Sequence, residues 1–343
     1  MMKYNPLPLL FTLALGVATA QPAPTCAPEW DSIFNYAQGH SVLRDSVDWA
    51  ALRPALDSVC ASQGLIPAAQ GLLRALRDFH GKIWVDNVPH YGPTKPWTPT
   101  SLQLDTSMMR KLFRNELPVY ARRLPGRIGY IRVPGITFGD QDSVNARIIR
   151  QAMESVQKGG QLRGWIVDLR LNGGGTMFPM LAGLGALLGD SLEIGSFIHP
   201  DAGYKDAWTL RQGEVFVGEY QVTDYGLWQK RGVPRPLTDV PVAVMISAAT
   251  ASSGEVTAIA FRNRPRTRFF GEDTAGYTTA VSWLPMSEKV VLQLTESYYA
   301  DRLENVFPGT PVSPDEHFKG GENFNQLTKD QMIKRAVEWL KGQ

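Results

Sequence analysis

Residues 240–261 have the sequence VPVAVMISAATASSGEVTAIAF, and this stretch determines the architecture of the chain. Its first seven residues are an apolar run, typical of a strand that is buried on both faces. Residues 256–261 are predicted to be helical, so Ser252 lies at a strand-to-helix junction. The start of a helix offers unpaired N–H groups and the positive end of the helix dipole. A nucleophile and an anion-stabilising site could therefore be built from the same few residues.

The segment Ser252-Ser253-Gly254-Glu255 also has a purely structural interpretation. It fits the S-x-x-E capping box, in which a serine and a glutamate satisfy the free donors at a helix start. Caps are far commoner than nucleophiles. Glu255 in particular could brace the helix without any catalytic part, so the serine needs support from other motifs.

A glycine-rich loop, Asn172-Gly173-Gly174-Gly175, follows the predicted strand at residues 164–169. Glycines permit positive φ, and such a loop can direct backbone N–H groups at an oxyanion. It lacks the Gly-Lys-Ser/Thr ending of a phosphate-binding loop. A plain strand-to-helix turn explains the same residues equally well.

His80 is the candidate general base, two residues after Asp78 at the predicted end of a helix. A neutral imidazole within reach of a serine hydroxyl can accept its proton. Asp78 could hold the imidazole tautomer. For any single histidine, a surface or capping role is the more frequent alternative.

Composition excludes several classes of function. The chain has 343 residues, 43% hydrophobic and 20% charged, with a formal net charge of +2. This size and composition suit a large globular core, and the charge gives no reason to expect nucleic acid as a partner. No metal-ligand spacing or cofactor motif occurs, so neither a metal nor a cofactor is expected.

Hydrophobic periodicity alternates between strand and helix patterns, which predicts an α/β fold for the main domain. Residues 193–235 alternate apolar and polar side chains and predict an inserted hairpin. The predicted helices cover residues 46–59, 67–76, 144–156, 178–188 and 329–340, and the predicted strands cover residues 128–133, 164–169, 240–246 and 290–294.

The N-terminus has the features of an export signal over residues 1–20. Lys3 precedes an apolar stretch at residues 7–17 and the cleavage pattern Ala18-Thr19-Ala20. The stretch is shorter than the roughly 20 residues that span a bilayer. We expect cleavage, a secreted or periplasmic protein and no stable membrane insertion, with an uncut membrane anchor as the alternative.

The chain has two cysteines, Cys26 and Cys60. In an exported protein, two cysteines favour one disulfide, which would tie the mature N-terminus to the helical region. Two separate thiols remain the alternative.

Four motifs occur together in a fixed order: Asp78-Phe79-His80, residues 168–175 (DLRLNGGG), residues 250–255 (TASSGE) and residues 271–276 (GEDTAG). Together they resemble the C-terminal processing (tail-specific) serine peptidase family over about residues 30–320. The resemblance implies a crotonase-like (ββα) peptidase core. It also implies Ser252 as nucleophile, His80 as base, and an oxyanion hole formed by the N–H groups of Ser253 and Gly174 or Gly173.

Tyr277 departs from the family's Ser–Lys pattern, because lysine-type members carry the basic lysine at that position. A phenol, with a reference pKa near 10, is a poor substitute as a base. Members without the lysine, such as nisin resistance protein and tricorn-type peptidases, use histidine. The resemblance therefore points to this Ser–His branch, with Tyr277 at most in a supporting position.

The resemblance also suggests a domain organisation. Residues 83–125 are too few for the PDZ domain that lysine-type members carry, so no PDZ domain is expected. The expected units are a signal peptide (1–20), an N-terminal helical subdomain (21–82), a cap or linker (83–125), an α/β peptidase core (126–320) with the insertion at 193–235, and a C-terminal helix (321–343).

The expected function is an exported serine endopeptidase that cleaves peptides or unfolded tails through an acyl-enzyme. Two alternatives remain. A non-catalytic module of the same fold would carry a hydrophobic ligand. An α/β-hydrolase would use Ser252, Asp301 and His317, which have the chain order of that fold.

Overall fold

A computed structural model describes residues 26–93, 102, 104, 106–200, 203–227 and 237–343. The expected signal peptide and cleavage site lie outside these residues. Short 3₁₀ helices occur at Arg44–Ser46 and Leu327–Lys329. The α-helices in the described part are α1 (Glu29–His40), α2 (Trp49–Gln63), α3 (Leu65–Leu76), α4 (Thr106–Phe113), α5 (Asp142–Gln157), α6 (Phe178–Gly183), α7 (Gly185–Leu188), α8 (Ser253–Phe261) and α9 (Gln331–Lys341).

The strands form two sheets. They are β1 (Lys82–Val85), β2 (Val88–Tyr91), β3 (Tyr120–Leu124), β4 (Ile128–Arg132), β5 (Gly164–Asp168), β6 (Glu193–His199), β7 (Tyr204–Arg211), β8 (Glu214–Val217), β9 (Tyr220–Gln221), β10 (Val242–Ile246), β11 (Thr267–Gly271), β12 (Thr279–Pro285), β13 (Val290–Ala300), β14 (Val306–Phe307) and β15 (Glu316–His317).

The six-stranded sheet has the order β15-β11-β10-β5-β4-β3. All its pairs are parallel except β3 with β4, which is antiparallel. Residues in β4, β5 and β10 are buried throughout, as expected for a parallel sheet covered on both faces. One face packs on α5, α6 and α8, and the other face packs on α9. This arrangement confirms a mixed α/β fold.

The nine-stranded sheet has the order β2-β1-β13-β6-β7-β8-β9, and β12 and β14 also pair with β13. Its β1 and β13 bury Ile83, Leu292 and Leu294 against α1, α2 and α3. The Sγ atoms of Cys26 and Cys60 are joined in a disulfide that links the segment before α1 to α2, with the two Cα atoms 5.2 Å apart.

Two of the expected segments contribute strands to the sheets. Among the described residues of the segment 83–125, β1 and β2 join the nine-stranded sheet and β3 joins the six-stranded sheet. The described residues of the segment 193–235 form four strands. Its strands β6–β9 pair in sequence, and β6 pairs with β13, so they extend the nine-stranded sheet.

The C-terminal edge of the six-stranded sheet positions the functional loops. In a parallel sheet the carboxyl ends of the strands meet at one edge, where ligands of α/β proteins commonly bind. The glycine loop follows β5, the Ser252 turn follows β10, and residues 272–278 follow β11. Within the described ranges, no helix is long and apolar enough to cross a bilayer.

Candidate active site

Ser252 lies at the end of a turn that is tied to the glycine loop. The Thr250 hydroxyl donates to the Leu169 carbonyl at 2.8 Å, and the Ala251 N–H donates to the Asn172 carbonyl at 3.0 Å. Ser252 itself has φ +51° and ψ −119°, a conformation that non-glycine residues rarely adopt. Such strain costs about 1–3 kcal/mol and persists only where the surroundings enforce it. The turn therefore fixes the serine at the first turn of α8.

His80 is placed by the turn that follows α3. The helix ends where Arg77 adopts a left-handed conformation with φ +55°. The buried Asp78 carboxylate then accepts the N–H groups of His80 (3.0 Å) and Gly81 (2.7 Å), and it also accepts the Thr295 N–H (3.0 Å) and hydroxyl (2.7 Å). Burial raises the pKa of Asp78, although these hydrogen bonds favour its ionised form. Asp78 thus holds the backbone of the turn and not the imidazole ring.

The structure brings the Ser252 hydroxyl and the His80 imidazole together. Ser252 Oγ lies 3.1 Å from His80 Nε2. On the other side of the ring, His80 Nδ1 lies 3.0 Å from the Thr279 carbonyl oxygen and 3.1 Å from the Thr279 hydroxyl. Because a carbonyl oxygen can only accept, Nδ1 carries the proton and Nε2 presents its lone pair to the serine.

Thr279 is the partner of His80 that sequence reasoning missed. It lies 199 residues further along the chain, at the start of β12, and no local motif marks it. Tyr277, two residues earlier, packs against the imidazole in a T-shaped arrangement with 5.4 Å between ring centroids. Burial raises the pKa of Tyr277, so the phenol stays neutral near pH 7. Residues 277–279 therefore form one wall of the site.

Glu255 connects the Ser252 turn to the segment after β11. Its buried carboxylate accepts the N–H groups of Ser252 (2.9 Å), Gly276 (2.7 Å) and Tyr277 (2.7 Å), and it also accepts the Thr274 hydroxyl. The contact with the Ser252 N–H is the glutamate half of a capping box. Burial raises the pKa of Glu255 to about 7, although the four hydrogen bonds oppose that shift.

The glycine loop packs directly on Ser252. Gly174 has φ +104°, and a Cβ at this position would lie 2.9 Å from both Ser252 Cβ and the Ala251 carbonyl oxygen. At Gly173 a Cβ would have no neighbour closer than 3.9 Å. The Gly174 N–H donates to Asn172 Oδ1 at 3.0 Å, and the Ser253 hydroxyl donates to the Gly175 carbonyl at 2.6 Å. The expected oxyanion donors thus lie beside the serine, but Gly174 already has an acceptor.

The alternative triad of Ser252, Asp301 and His317 is not assembled. Asp301 accepts hydrogen bonds from Asn263 Nδ2 at 2.8 Å and from Asn305. His317 is an exposed residue at the end of β15, whereas the imidazole at Ser252 Oγ belongs to His80. In the part of the chain that the structure describes, no group of three or more His, Cys, Asp or Glu side chains could hold a metal ion.

The family model for peptidase family S41 matches residues 127–318, more than half of the chain. The chain therefore belongs to peptidase family S41. The match includes the glycine loop and Ser252, whereas His80 precedes it. The histidine side of the site is thus described by the structure and not by the family match.

Two proteins illustrate the similarity in sequence. The nisin-resistance protein of Lactococcus lactis subsp. lactis is 32% identical over 220 residues, which cover 64% of this chain and 62% of that protein. A carboxyl-terminal-processing protease of Picosynechococcus sp. is 27% identical over 270 residues, which cover 76% of this chain and 56% of that protein. This chain therefore matches less than two thirds of the length of either relative.

Solved structures share the fold over most of the chain. A lipoprotein from Streptococcus agalactiae superposes with a TM-score of 0.63 at 20% identity and covers 92% of this chain and 95% of its own. The photosystem II D1 C-terminal processing protease superposes with a TM-score of 0.54 at 15% identity and covers 85% of this chain and 92% of its own. At these identities the likeness concerns the fold alone.

Proposed function

We propose that this protein is a serine endopeptidase in which Ser252 is the nucleophile and His80 the general base. The observation that carries the proposal is the 3.1 Å contact between Ser252 Oγ and His80 Nε2, with Nδ1 held by the Thr279 carbonyl. This is the geometry that an activated hydroxyl requires: a base within hydrogen-bond reach, itself oriented by a third group. Membership of peptidase family S41 supports the reaction class.

The reaction proceeds through an acyl-enzyme. Ser252 Oγ attacks the carbonyl carbon of the peptide bond while His80 Nε2 takes the hydroxyl proton. The tetrahedral intermediate collapses when the C–N bond breaks, and His80 gives the proton to the leaving amine. Water then attacks the acyl-enzyme, His80 accepts a proton from that water, and the proton returns to Ser252 as the carboxylic acid product leaves.

The oxyanion is stabilised by backbone donors on either side of Ser252. Ser253 is the first residue of α8, so its N–H has no intrahelical acceptor. A Cβ at Gly174 would lie 3.4 Å from the Ser253 nitrogen, which places the glycine loop beside this donor. Gly174 supplies the second N–H, shared with Asn172 Oδ1, and Gly173 in its more open surroundings is the alternative donor.

The core around this site is of the crotonase-like type, in which successive strand and helix units place their loops at one sheet edge. Substrates are peptides or unfolded polypeptide tails, as the names of the processing-protease relatives suggest. We also propose export through the signal at residues 1–20. The intact mass of exported protein tests this point, because cleavage before Gln21 removes the first 20 residues and an uncut mass contradicts it.

A fluorophosphonate probe tests the nucleophile directly. The wild type is expected to form an adduct that peptide mass spectrometry locates on Ser252, whereas Ser252→Ala remains unlabelled and inactive on a diverse peptide library. Circular dichroism should show that both proteins are folded. A folded wild type that neither labels nor cleaves peptides would identify a ligand carrier, and cleavage by Ser252→Ala would refute the assignment.

A further inference from the structure

Three aromatic side chains form a partly exposed cluster near the proposed active site. The Trp84 and Trp283 ring centroids are 5.3 Å apart, and Phe138 lies 6.0 Å from Trp283. Phe138 is 61% exposed and Trp283 is 47% exposed. By contrast, Trp165 and Trp208 are fully buried in the core. Adjacent large apolar side chains that remain in contact with solvent are typical of interaction sites.

Each ring of this aromatic cluster is carried by a segment that also builds the active site. Trp84 follows His80 by four residues, and Trp283 follows Thr279 by four residues. Phe138 follows Ile136 by two residues, and the Ile136 N–H donates to the Gly174 carbonyl at 2.9 Å. Three separate backbone connections therefore hold the cluster at a fixed distance from the Ser252–His80 pair.

The two tryptophans lie on the face of the nine-stranded sheet that points away from the helices. Trp283 is paired with Gln293 across β12 and β13, and directly opposed residues project to the same face. The Trp84 indole N–H donates to Gln293 Oε1 at 3.2 Å, which places Trp84 on that face as well. The opposite face carries Ile83 and Leu292, which are buried against α1, α2 and α3.

The spacing matches an extended peptide. A strand advances about 3.3 Å per residue, so four residues span about 13 Å. A substrate in extended conformation covers the same distance with four of its own residues. The ring cluster is thus within reach of a substrate side chain about four residues from the bond that is cut.

We propose that Trp84, Trp283 and Phe138 form a distal subsite that selects a large apolar side chain, preferably aromatic, about four residues from the scissile bond. The proposal rests on the proposed peptidase function. Phe138 comes from the loop after β4 of the six-stranded sheet, and the tryptophans come from the nine-stranded sheet, so an inserted ring would contact elements of both sheets. Aromatic rings bury a large apolar area and gain further from edge-to-face contacts.

The test is a position scan. Peptides are built around a cleavage site found in the library digest, with phenylalanine or alanine at each position from five before to five after the cut. The wild type should favour phenylalanine about four positions away on one side, by about tenfold or more in kcat/KM, the gain that burial of one aromatic side chain provides. Trp283→Ala and Phe138→Ala should each abolish most of that preference, and Trp283→Phe should retain it.

Tyr220→Ala is the matched control, because Tyr220 is an 81% exposed aromatic residue on β9, at the far end of the same sheet. It should leave the preference unchanged. The labelling rate of Ser252 by the fluorophosphonate should be the same in all these variants, since none touches the reacting atoms. An unlabelled wild type would overturn the peptidase function itself. Normal labelling together with equal cleavage of the phenylalanine and alanine peptides at every position would overturn the distal subsite alone. A phenylalanine preference that survives in Phe138→Ala would do the same.

Discussion

The two halves of the proposed active site are built in different ways. Around Ser252, the contacts come from short stretches at one edge of the six-stranded sheet: the glycine loop, the turn after β10 and the segment after β11. Around His80, the contacts join residues about 200 positions apart, because Asp78 binds Thr295 and His80 binds Thr279. The proposed nucleophile is thus positioned by short sequence motifs, and the proposed base is positioned by contacts with β12 and β13 of the nine-stranded sheet.

This difference predicts how each half tolerates change. In the nucleophile half, Gly174 is tightly packed, since an added Cβ would lie 2.9 Å from Ser252 Cβ, so even a small added group at this position should be costly. In the histidine half, the backbone carbonyl of Thr279 sets the tautomer of His80, so the identity of the side chain at position 279 should matter little. The family match over residues 127–318 includes the first half and omits His80.

The largest expected effect comes from removing the base. His80→Gln should lower kcat/KM for a cleaved peptide by at least about 1000-fold, because the variant loses the imidazole that lies 3.1 Å from Ser252 Oγ and is proposed to accept its proton. His317→Gln is the matched control and should leave activity unchanged, since His317 is exposed on β15. Loss of activity only in His317→Gln would restore the α/β-hydrolase alternative.

Gly174→Ala tests the packing of the nucleophile half. The new methyl group would lie 2.9 Å from Ser252 Cβ, and the backbone of residue 174 has φ +104°, which alanine rarely adopts. We expect about a 100-fold loss of kcat/KM, the usual result of displacing a reacting group by about 1 Å. Gly173→Ala provides the comparison, because its methyl group would lie 3.9 Å from its nearest neighbours, an ordinary van der Waals contact. Equal losses in both variants would contradict the role given to Gly174.

Glu255→Gln tests the link between Ser252 and residues 274–277 through the pH dependence of stability. The pKa of Glu255 is about 7 in the folded protein and 4.5 in its ordinary state. The unfolded chain therefore releases this proton first, and the free energy of unfolding falls as pH rises from 4.5 through 7, by about 3 kcal/mol. Glutamine does not titrate, so Glu255→Gln should lack this pH-dependent contribution to the free energy of unfolding.

Denaturant unfolding at several pH values measures the difference between the two proteins. The advantage of the wild type over Glu255→Gln should be larger at pH 5 than at pH 8. The variant should also be less stable than the wild type at both pH values. The amide NH₂ of glutamine is a donor, and it would face backbone N–H groups that can only donate, so a hydrogen bond is lost. A stability difference independent of pH would show that Glu255 titrates near its ordinary pKa.

The smallest effect is expected at Thr279. Thr279→Val removes the hydroxyl 3.1 Å from His80 Nδ1 but keeps the carbonyl at 3.0 Å. One redundant hydrogen bond contributes about 1 kcal/mol at most, so kcat/KM should fall by less than about fivefold. A much larger loss, with an altered pH–rate profile, would show that the hydroxyl and not the carbonyl orients the imidazole.

Much of the fold followed from periodicity in the sequence. The strands at β4, β5 and β10 and the helices α3, α5 and α9 lie within two residues or so of their predicted bounds, because each has a long apolar pattern. The predicted helix over residues 178–188 is divided into α6 and α7. The sequence analysis did not predict β12 or β14, and it predicted only residues 290–294 of β13. β12 and β14 pair with the adjacent β13. Most positions in β12 are only partly buried, and buried polar residues such as Gln293, Thr295 and Ser297 interrupt the apolar pattern of β13, so local periodicity does not mark these strands.

The same distinction between local sequence patterns and distant contacts applies to the proposed active site. The contact of Ser252 with His80 was expected only because several motifs occurred together in order. The engagement of the Gly174 N–H by Asn172, and the use of Asp78 to hold a backbone turn, depend on geometry that residue types do not specify. The Thr279 carbonyl could not be identified at all, since every residue has one.

The unusual backbone of Ser252 has an evolutionary consequence. A φ of +51° suits glycine, which has no Cβ to clash. Ser252→Gly should therefore be about 1 kcal/mol more stable than Ser252→Ala, although both are inactive. In a lineage released from selection for catalysis, glycine is the favoured replacement at this position. A natural homologue with glycine here would combine the retained fold with lost chemistry, and would mark a descendant that serves as a scaffold.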